Sequence, residues 1–108
     1  MTFKTRLQGR VHKFGDDITA DDIIAGKHRP KVENVLDLKS YVFHEIRPDF
    51  IRRVAAGDIL VAGHNFGMGS SREHATSLLK ACGIEAVLAK SFARIFFRNA
   101  INIGLTVL

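Results

Sequence analysis

The stretch that decides the fold is Ile59-Leu60-Val61-Ala62-Gly63-His64-Asn65-Phe66-Gly67-Met68-Gly69, in which a wholly apolar run leads into a glycine-rich segment. Four consecutive apolar residues are typical of a strand buried in a parallel sheet. A helix is predicted after the segment, from about Ser71 to Cys82, and Gly83 is its expected C-terminal stop. Its apolar face contains Ala75, Leu78, Leu79 and Cys82. The stretch therefore predicts a strand, a turn and a helix in immediate succession.

The same alternation continues towards the C-terminus. A second buried strand is predicted at Ala86-Val87-Leu88-Ala89, and a further helix is predicted to open at Ser91. The apolar stripe of that helix is expected to contain Phe92, Ile95, Phe96 and Ala100. A third apolar run follows over Ile103–Leu108. Because parallel strands need crossover helices, this order predicts a parallel, three-layer α/β core.

The N-terminal half is less regular. Up to Pro30, its pattern predicts an extended segment at Thr5–Phe14, a turn at Gly15–Asp17, a short irregular or helical piece at Ile18–Ile24 and a loop at Gly26–Pro30. After this loop, a helical face of Leu38, Tyr41 and Val42 is predicted, followed by a short helix from Pro48 to about Val54. Neither a linker nor an internal repeat is visible. We therefore expect one domain over residues 1–108.

Composition narrows the function classes. Hydrophobic residues make up 46% and charged residues 25% of the 108 residues, which fits a globular protein. No apolar run approaches the ~20 residues of a membrane span, and the N-terminus lacks a signal-peptide core, so we expect a cytoplasmic protein. A net charge of +5 is compatible with nucleic-acid binding, but the basic residues are scattered along the sequence. An anionic ligand or an acidic partner explains the charge equally well.

The glycine-rich turn carries the candidate chemistry. In open α/β sheets, ligands bind beyond the carboxyl ends of strands, where helix N-termini favour anions. Ser70, Ser71 and Arg72 place two hydroxyls and a guanidinium there, and arginine binds carboxylates through two parallel hydrogen bonds. A structural interpretation competes, because Ser70 and Glu73 have capping-box spacing. From the residues alone, the prediction is an anion-binding α/β domain.

Three separated segments resemble the swivelling domain of the aconitase superfamily. They are Asp16–Ile24, with Gly9-Arg10-Val11 before it, then Asn65-Phe66-Gly67-Met68-Gly69-Ser70-Ser71-Arg72-Glu73-His74-Ala75, and finally Ala89–Leu105. The chain is most similar to the separate small subunits of 3-isopropylmalate dehydratase and homoaconitase, rather than to the fused domain of aconitase. The resemblance implies a three-layer β/β/α swivelling domain. Family small subunits continue for several more strands, so three interpretations stay open: a domain truncated at its C-terminus as a fragment, a minimal variant, or a strand-exchanging oligomer.

The resemblance also implies a function. It implies a hydro-lyase, such as the isomerase of leucine biosynthesis, in which this chain works with an iron–sulfur large subunit that carries a [4Fe–4S] cluster. This chain itself is expected to hold no metal or cofactor, since Cys82 is its only cysteine. Carried over to this motif, Ser70 is the base, acting as an alkoxide, and Ser71 and Arg72 bind the carboxylate of an anionic 2-hydroxy acid. A serine base requires nearby positive charge, which Arg72 and the helix start supply.

Several alternatives stay open. Lys27 and Arg29 lie where the family has its substrate-selecting loop, but they are equally explained as solvated loop cations. Lys90, Arg94 and Arg98 recur at four-residue steps and face either a partner, the pocket or solvent. The competing functions are a homoaconitase small subunit, a non-catalytic carboxylate-binding or assembly module, and RNA binding, which salt dependence would test. A homo-oligomer is the expected alternative assembly of the isolated chain.

Overall fold

The computed structural model describes residues 9–25, 35–69 and 74–108. Four strands and four α-helices follow one another along these ranges: β1 (Val11–Lys13), α1 (Ala20–Ile23), α2 (Phe50–Arg53), β2 (Ile59–Ala62), α3 (His74–Ala81), β3 (Ala86–Ala89), α4 (Arg94–Ile103) and β4 (Thr106–Val107). A 3₁₀ helix over Val35–Tyr41 precedes α2. None of the helices within these ranges is long and apolar enough to cross a membrane.

The strands form one parallel sheet in the order β1-β2-β3-β4. Ile59 of β2 pairs with Val11 of β1 on one side and with Ala86 of β3 on the other, and Ala86 in turn pairs with Thr106 of β4. Every crossover moves the chain one strand in the same direction. Because such crossovers are right-handed, they place all the connecting helices on a single face of the sheet.

Side-chain alternation along the strands separates two faces of the sheet. Leu60, Ala62 and Val87 belong to the hydrophobic core, which also contains Leu78, Leu79 and Phe96 from the helices. The opposite face presents Val11, Ile59, Val61, Ala86 and Leu88, of which Val11 is largely exposed and Val61 and Leu88 are half-buried. The described residues thus supply one sheet and one helix layer, and the second β layer implied by the resemblance is not among them.

The predicted α/β class is confirmed, as are several of its elements. The strands at Ile59–Ala62 and Ala86–Ala89 have the predicted bounds. Ala75, Leu78, Leu79 and Cys82 are all buried, as the apolar face of α3 required. Gly83 ends that helix with a φ of +91°. Residues Thr5–Gln8 and Ser71–Glu73, at the starts of two predicted elements, lie outside the described residues.

The predicted C-terminal elements need three corrections. The last helix begins at Arg94 rather than at Ser91, because Phe92 forms an isolated bridge with Phe66. Ile95 is 44% exposed and does not belong to the buried stripe, which contains Phe96 and Ala100. Ile103 belongs to α4, which ends at Gly104 in the left-handed region, so the last strand is shorter than predicted.

A buried carboxylate holds the amino end of the sheet together. Asp58 is 3% exposed, accepts a hydrogen bond from the backbone N–H of Ala55 at 2.9 Å, and lies 2.8 Å from Nε2 of His12 in β1. Arg10 lies 3.7 Å from the same oxygen. Burial raises the pKa of Asp58, but the hydrogen bonds from His12 and Ala55 and the charge of Arg10 outweigh it and leave the pKa below its ordinary value.

Asp58→Asn is therefore expected to lower the free energy of unfolding at neutral pH by about 1–3 kcal/mol, since it removes a charged acceptor from a buried site. The folded-state pKa is depressed, so this stabilisation is present above the unfolded pKa of about 3.9 and is lost as pH falls through the folded value. Urea unfolding between acidic and neutral pH measures both effects. Asp49→Asn, at the exposed pair with Arg53, is the control and should change stability little. Equal losses in the two variants would contradict the role of Asp58.

Candidate functional site

The segment that leads into the Ser70 motif lies at the carboxyl edge of the sheet. β1, β2 and β3 run parallel, so the residues that follow them meet at this edge: 14–19 after β1, 63–69 after β2 and 90–93 after β3. The middle segment, residues 63–69, lies between the other two. Loops beyond the carboxyl ends of parallel strands are the usual ligand-binding position in such sheets.

Backbone hydrogen bonds attach residues 63–69 to the segment after β1. The Gly67 N–H donates to the Ile18 carbonyl at 2.6 Å, and the Met68 carbonyl accepts from the Ala20 N–H at 2.7 Å. Thr19 and Met68 form an isolated parallel bridge. The sheet-like pairing of β1 with β2 therefore resumes beyond the strands themselves, immediately before the Ser70 motif.

The segment after β3 is hydrogen-bonded to the other side of residues 63–69. The Phe66 N–H donates to the Ser91 carbonyl at 3.0 Å, and the Phe66 carbonyl accepts from the Ala93 N–H at 2.9 Å. The Ser91 hydroxyl accepts from the Asn65 N–H at 2.8 Å. Residues 65–68 are thus fixed on both sides by neighbouring backbone.

Asn65, Asp16 and Asp17 are positioning residues that the sequence analysis did not single out. The Asn65 side-chain amide donates to Asp17 at 3.1 Å, and Asp16 accepts from the His64 N–H at 2.7 Å. Asn65 and Asp17 have φ values of +60° and +57°. Asn and Asp tolerate this left-handed region best among non-glycine residues, and their side chains often bond to backbone. That residue preference was the available signal in the sequence.

Gly67 determines how closely the segment approaches the core. Its φ is +87°, and a Cβ built on it would lie 2.4 Å from Cγ of Phe96, a buried residue of α4. No other residue fits there without displacing the aromatic ring. The motif's leading segment is consequently held directly against the hydrophobic core.

All the predicted site residues lie outside the described residues: Ser70, Ser71, Arg72, Lys27 and Arg29. The structure does place the chain on either side of them. Gly69 precedes the motif, and α3 is described from His74 onwards. Ala25 precedes the loop that contains Lys27 and Arg29, and it follows α1, which starts beside Met68. The start of α1 is thereby placed next to Met68, and the roles of the five residues stay predictions.

The capping box that the structure shows is in α1. The Thr19 hydroxyl accepts from the Asp22 N–H and the Asp22 carboxylate accepts from the Thr19 N–H, both at 2.9 Å. This pair fixes the start of α1 next to Met68, which is the residue that bridges to Thr19. The box predicted at Ser70 and Glu73 lies outside the described residues.

Metal-binding side chains are not grouped in the parts of the chain that the structure covers: no three His, Cys, Asp or Glu residues are placed there to hold an ion. Cys82 is buried, and burial raises the pKa of its thiol to about 11. The thiol is therefore neutral at physiological pH, in agreement with the interpretation of Cys82 as a small core residue.

Gly67→Ala is expected to lower the free energy of unfolding by roughly 2 kcal/mol or more, because it combines a left-handed backbone with overpacking against Phe96. Gly69→Ala has a comparable φ of +107°, but the added Cβ meets no atom of the described residues within 4 Å, so we expect a loss of about 1 kcal/mol. Gly15→Ala is the control, since a Cβ added there has no atom within 4 Å in the part of the chain that the structure describes. Chemical denaturation of the three variants measures the ranking. A loss at Gly67 no larger than at Gly69 would show that the Phe96 contact does not fix the segment.

Comparison with known proteins gives one family. The sequence model of the aconitase C-terminal domain matches residues 18–108. Small subunit 1 of 3-isopropylmalate dehydratase from Archaeoglobus fulgidus is 61% identical over 100 residues, which are 93% of this chain and 62% of that protein. The methanogen homoaconitase small subunit from Methanocaldococcus jannaschii is 52% identical over 99 residues, or 92% of this chain and 58% of that protein.

A solved structure agrees with these relatives. The crystal structure of 3-isopropylmalate dehydratase (LeuD) from Methanocaldococcus jannaschii superimposes with a TM-score of 0.85 at 52% identity, covering 92% of this chain and 59% of that chain. This chain spans about three-fifths of the length of the relatives it matches. The family model covers most of the sequence, including residues 63–69 at the carboxyl edge. The chain therefore belongs to the aconitase C-terminal domain family.

Proposed function

We propose that this chain is the substrate-binding small subunit of a hydro-lyase of the 3-isopropylmalate dehydratase type. In this proposal it isomerises a 2-hydroxy di- or tricarboxylic acid by dehydration and rehydration, together with an iron–sulfur large subunit in the cytoplasm. The relatives named as small subunits of such enzymes support it. The observation that carries it is the segment 65–68, which is hydrogen-bonded on both sides directly before Ser70. A catalytic group needs this kind of rigid support.

The proposed chemistry divides between the two chains. A [4Fe–4S] cluster on the large subunit supplies a Lewis-acid iron that makes the substrate hydroxyl a better leaving group. Ser70, as the alkoxide, takes the proton from the carbon next to the one that bears the hydroxyl. The electrons of that C–H bond form the C=C bond as the C–O bond breaks. The hydroxyl leaves with the electron pair of the C–O bond, and a proton from solvent converts it into water. Rehydration reverses these steps with the hydroxyl and the proton exchanged between the two carbons.

The surroundings of Ser70 favour a charged oxygen in this proposal. α3 follows the motif at once, and the N-terminal end of a helix stabilises negative charge. Arg72 adds a permanent positive charge two residues away and, with Ser71, holds a substrate carboxylate. In this proposal the cluster is held by the large subunit, because iron–sulfur clusters need several cysteine thiolates and this chain has one cysteine, Cys82, which is buried.

Ser70→Ala is expected to lower turnover by about a hundredfold to ten-thousandfold, because the base is removed while the carboxylate contacts remain. The assay mixes the chain with candidate cluster-loaded large subunits and follows the ultraviolet absorbance of the unsaturated acid. Ser77→Ala, a serine of α3 outside the motif, is the matched control and should retain activity. Full activity of the Ser70 variant would exclude the proposed base. Carboxylate binding without turnover beside any large subunit would favour a non-catalytic assembly module instead.

Lys27 and Arg29 are proposed to bind the distal carboxylate of the substrate. The segment that leads to them starts beside Met68, as does the segment that leads to Ser70. Removing either cation with Lys27→Ala or Arg29→Ala should raise KM for the preferred substrate about tenfold with a smaller change in kcat. A panel of 2-isopropylmalate, homocitrate and citrate measures this, and it also separates the dehydratase from the homoaconitase that the methanogen relative suggests. The control is Arg52→Ala, at an exposed position in α2. Unchanged KM values would leave these side chains as solvated loop cations.

A further inference from the structure

The outer face of α4 is an exposed surface of mixed apolar and basic character. It consists of Arg94, Ile95, Phe97, Arg98 and Ile101, and it lies opposite the buried residues Phe96 and Ala100. Ile95, Phe97 and Ile101 are 44%, 40% and 57% exposed. α4 contains no acidic residue at all. An exposed helix face with three large apolar side chains and two cations is unusual for a solvated surface, on which charges of both signs normally alternate.

The aromatic member of this face is held in place by the core. The rings of Phe97 and Phe92 lie 5.7 Å apart, and Phe92 is stacked on Phe96 at 6.1 Å with an interplanar angle of 2°. Phe66 contacts Phe96 edge-on at 5.1 Å. Phe97 is therefore the outermost ring of a packed aromatic group. Rigid aromatic side chains lose little entropy on binding and are enriched, with arginine, at the centres of protein interfaces.

The two guanidinium groups of this face have no partner within the described residues. Arg53 forms an ion pair with Asp49 at 2.8 Å, and Arg10 approaches Asp58. Arg94 and Arg98, in contrast, are exposed and have neither a hydrogen bond nor an ion pair with any residue that the structure describes. If an apolar surface alone covered these two guanidinium groups, two buried charges would be left unpaired. A partner that covers this face must therefore offer carboxylates as well as apolar side chains.

α4 also starts at the edge where the site segment lies. Ala93, its N-cap, donates to the Phe66 carbonyl, and the Phe96 ring lies against Gly67. A protein that covers residues 65–69 at this edge consequently reaches the first turns of α4. We propose that the outer face of α4 docks on the iron–sulfur large subunit, at an apolar patch that presents at least one carboxylate to Arg94 or Arg98. This inference rests on the proposed function and adds the surface by which the partner is held.

The test measures affinity and activity separately. Ile101→Glu and Arg98→Glu, each in the 108-residue chain, are titrated against a cluster-loaded large subunit by biolayer interferometry. Turnover is measured at a low and at a saturating concentration of the chain. We expect each variant to weaken binding at least tenfold and to recover near-wild-type turnover at saturation, because neither residue belongs to the proposed catalytic group. Arg98→Glu should also flatten the salt dependence of the association rate, since it removes an attractive charge.

Two exposed positions away from α4 provide matched controls. Ile46→Glu introduces the same charge at another exposed isoleucine, and Arg52→Glu reverses another exposed arginine. Both should bind like the wild type. Thermal unfolding of the isolated chains checks that the α4 variants are folded, and Arg98→Glu tests the proposal independently if Ile101→Glu is destabilised.

Three outcomes would overturn the inference or its basis. Wild-type affinity in both α4 variants, with an active wild-type pair, would reject the α4 surface and leave the proposed function intact. Loss of self-association in the isolated chain without loss of partner affinity would identify the face as a contact between copies of this chain. A wild-type chain that neither binds nor turns over with any large subunit would reject the proposed function itself.

Discussion

The contact between the Gly67 backbone and the Phe96 ring determines where the candidate site can be. Phe96 is buried and packs edge-on against Phe66, which belongs to the same segment as Gly67. The segment is thus fixed from below by the core and from both sides by backbone hydrogen bonds. Connecting loops are ordinarily more mobile than the elements they join. Here the last residues before the motif have the support of a strand, although only an isolated bridge pairs them on each side.

Much of the fold was predictable because the central strands are mostly buried. Such strands are continuous apolar runs, and Ile59–Ala62 and Ala86–Ala89 were predicted with the bounds that the structure shows. The start of α4 was not predictable in the same way. Ser91 and Phe92 have helix-compatible spacing, but their backbone and hydroxyl groups are bonded to Asn65 and Phe66, which lie 26 residues earlier. Local periodicity contains no information about a partner at that distance.

The candidate site, like the fold, was predictable from the sequence only in part. The residue types of the motif indicated an anion site without any tertiary contact, since the glycine turn, hydroxyls and guanidinium are consecutive in sequence. The residues that position this turn are not consecutive. Asp16 and Asp17 follow β1 and bond to His64 and Asn65, which follow β2. Only the pairing of the two strands brings them together, so the turn at Gly15–Asp17 was predicted without its function of bracing the site.

The structural and catalytic interpretations of Ser70 do not exclude each other. In the capping box of α1, the Thr19 hydroxyl accepts a hydrogen bond from the Asp22 N–H, and the Asp22 carboxylate accepts one from the Thr19 N–H. Hydrogen bonds donated to a hydroxyl oxygen stabilise its anionic form, so capping itself lowers the free-energy cost of an alkoxide. Thr19 remains an ordinary cap because no cation adjoins it in the sequence. Under the proposed function, the charge of Arg72 stabilises the Ser70 oxygen as an anion, and a partner that excludes water strengthens this attraction because it lowers the local dielectric constant.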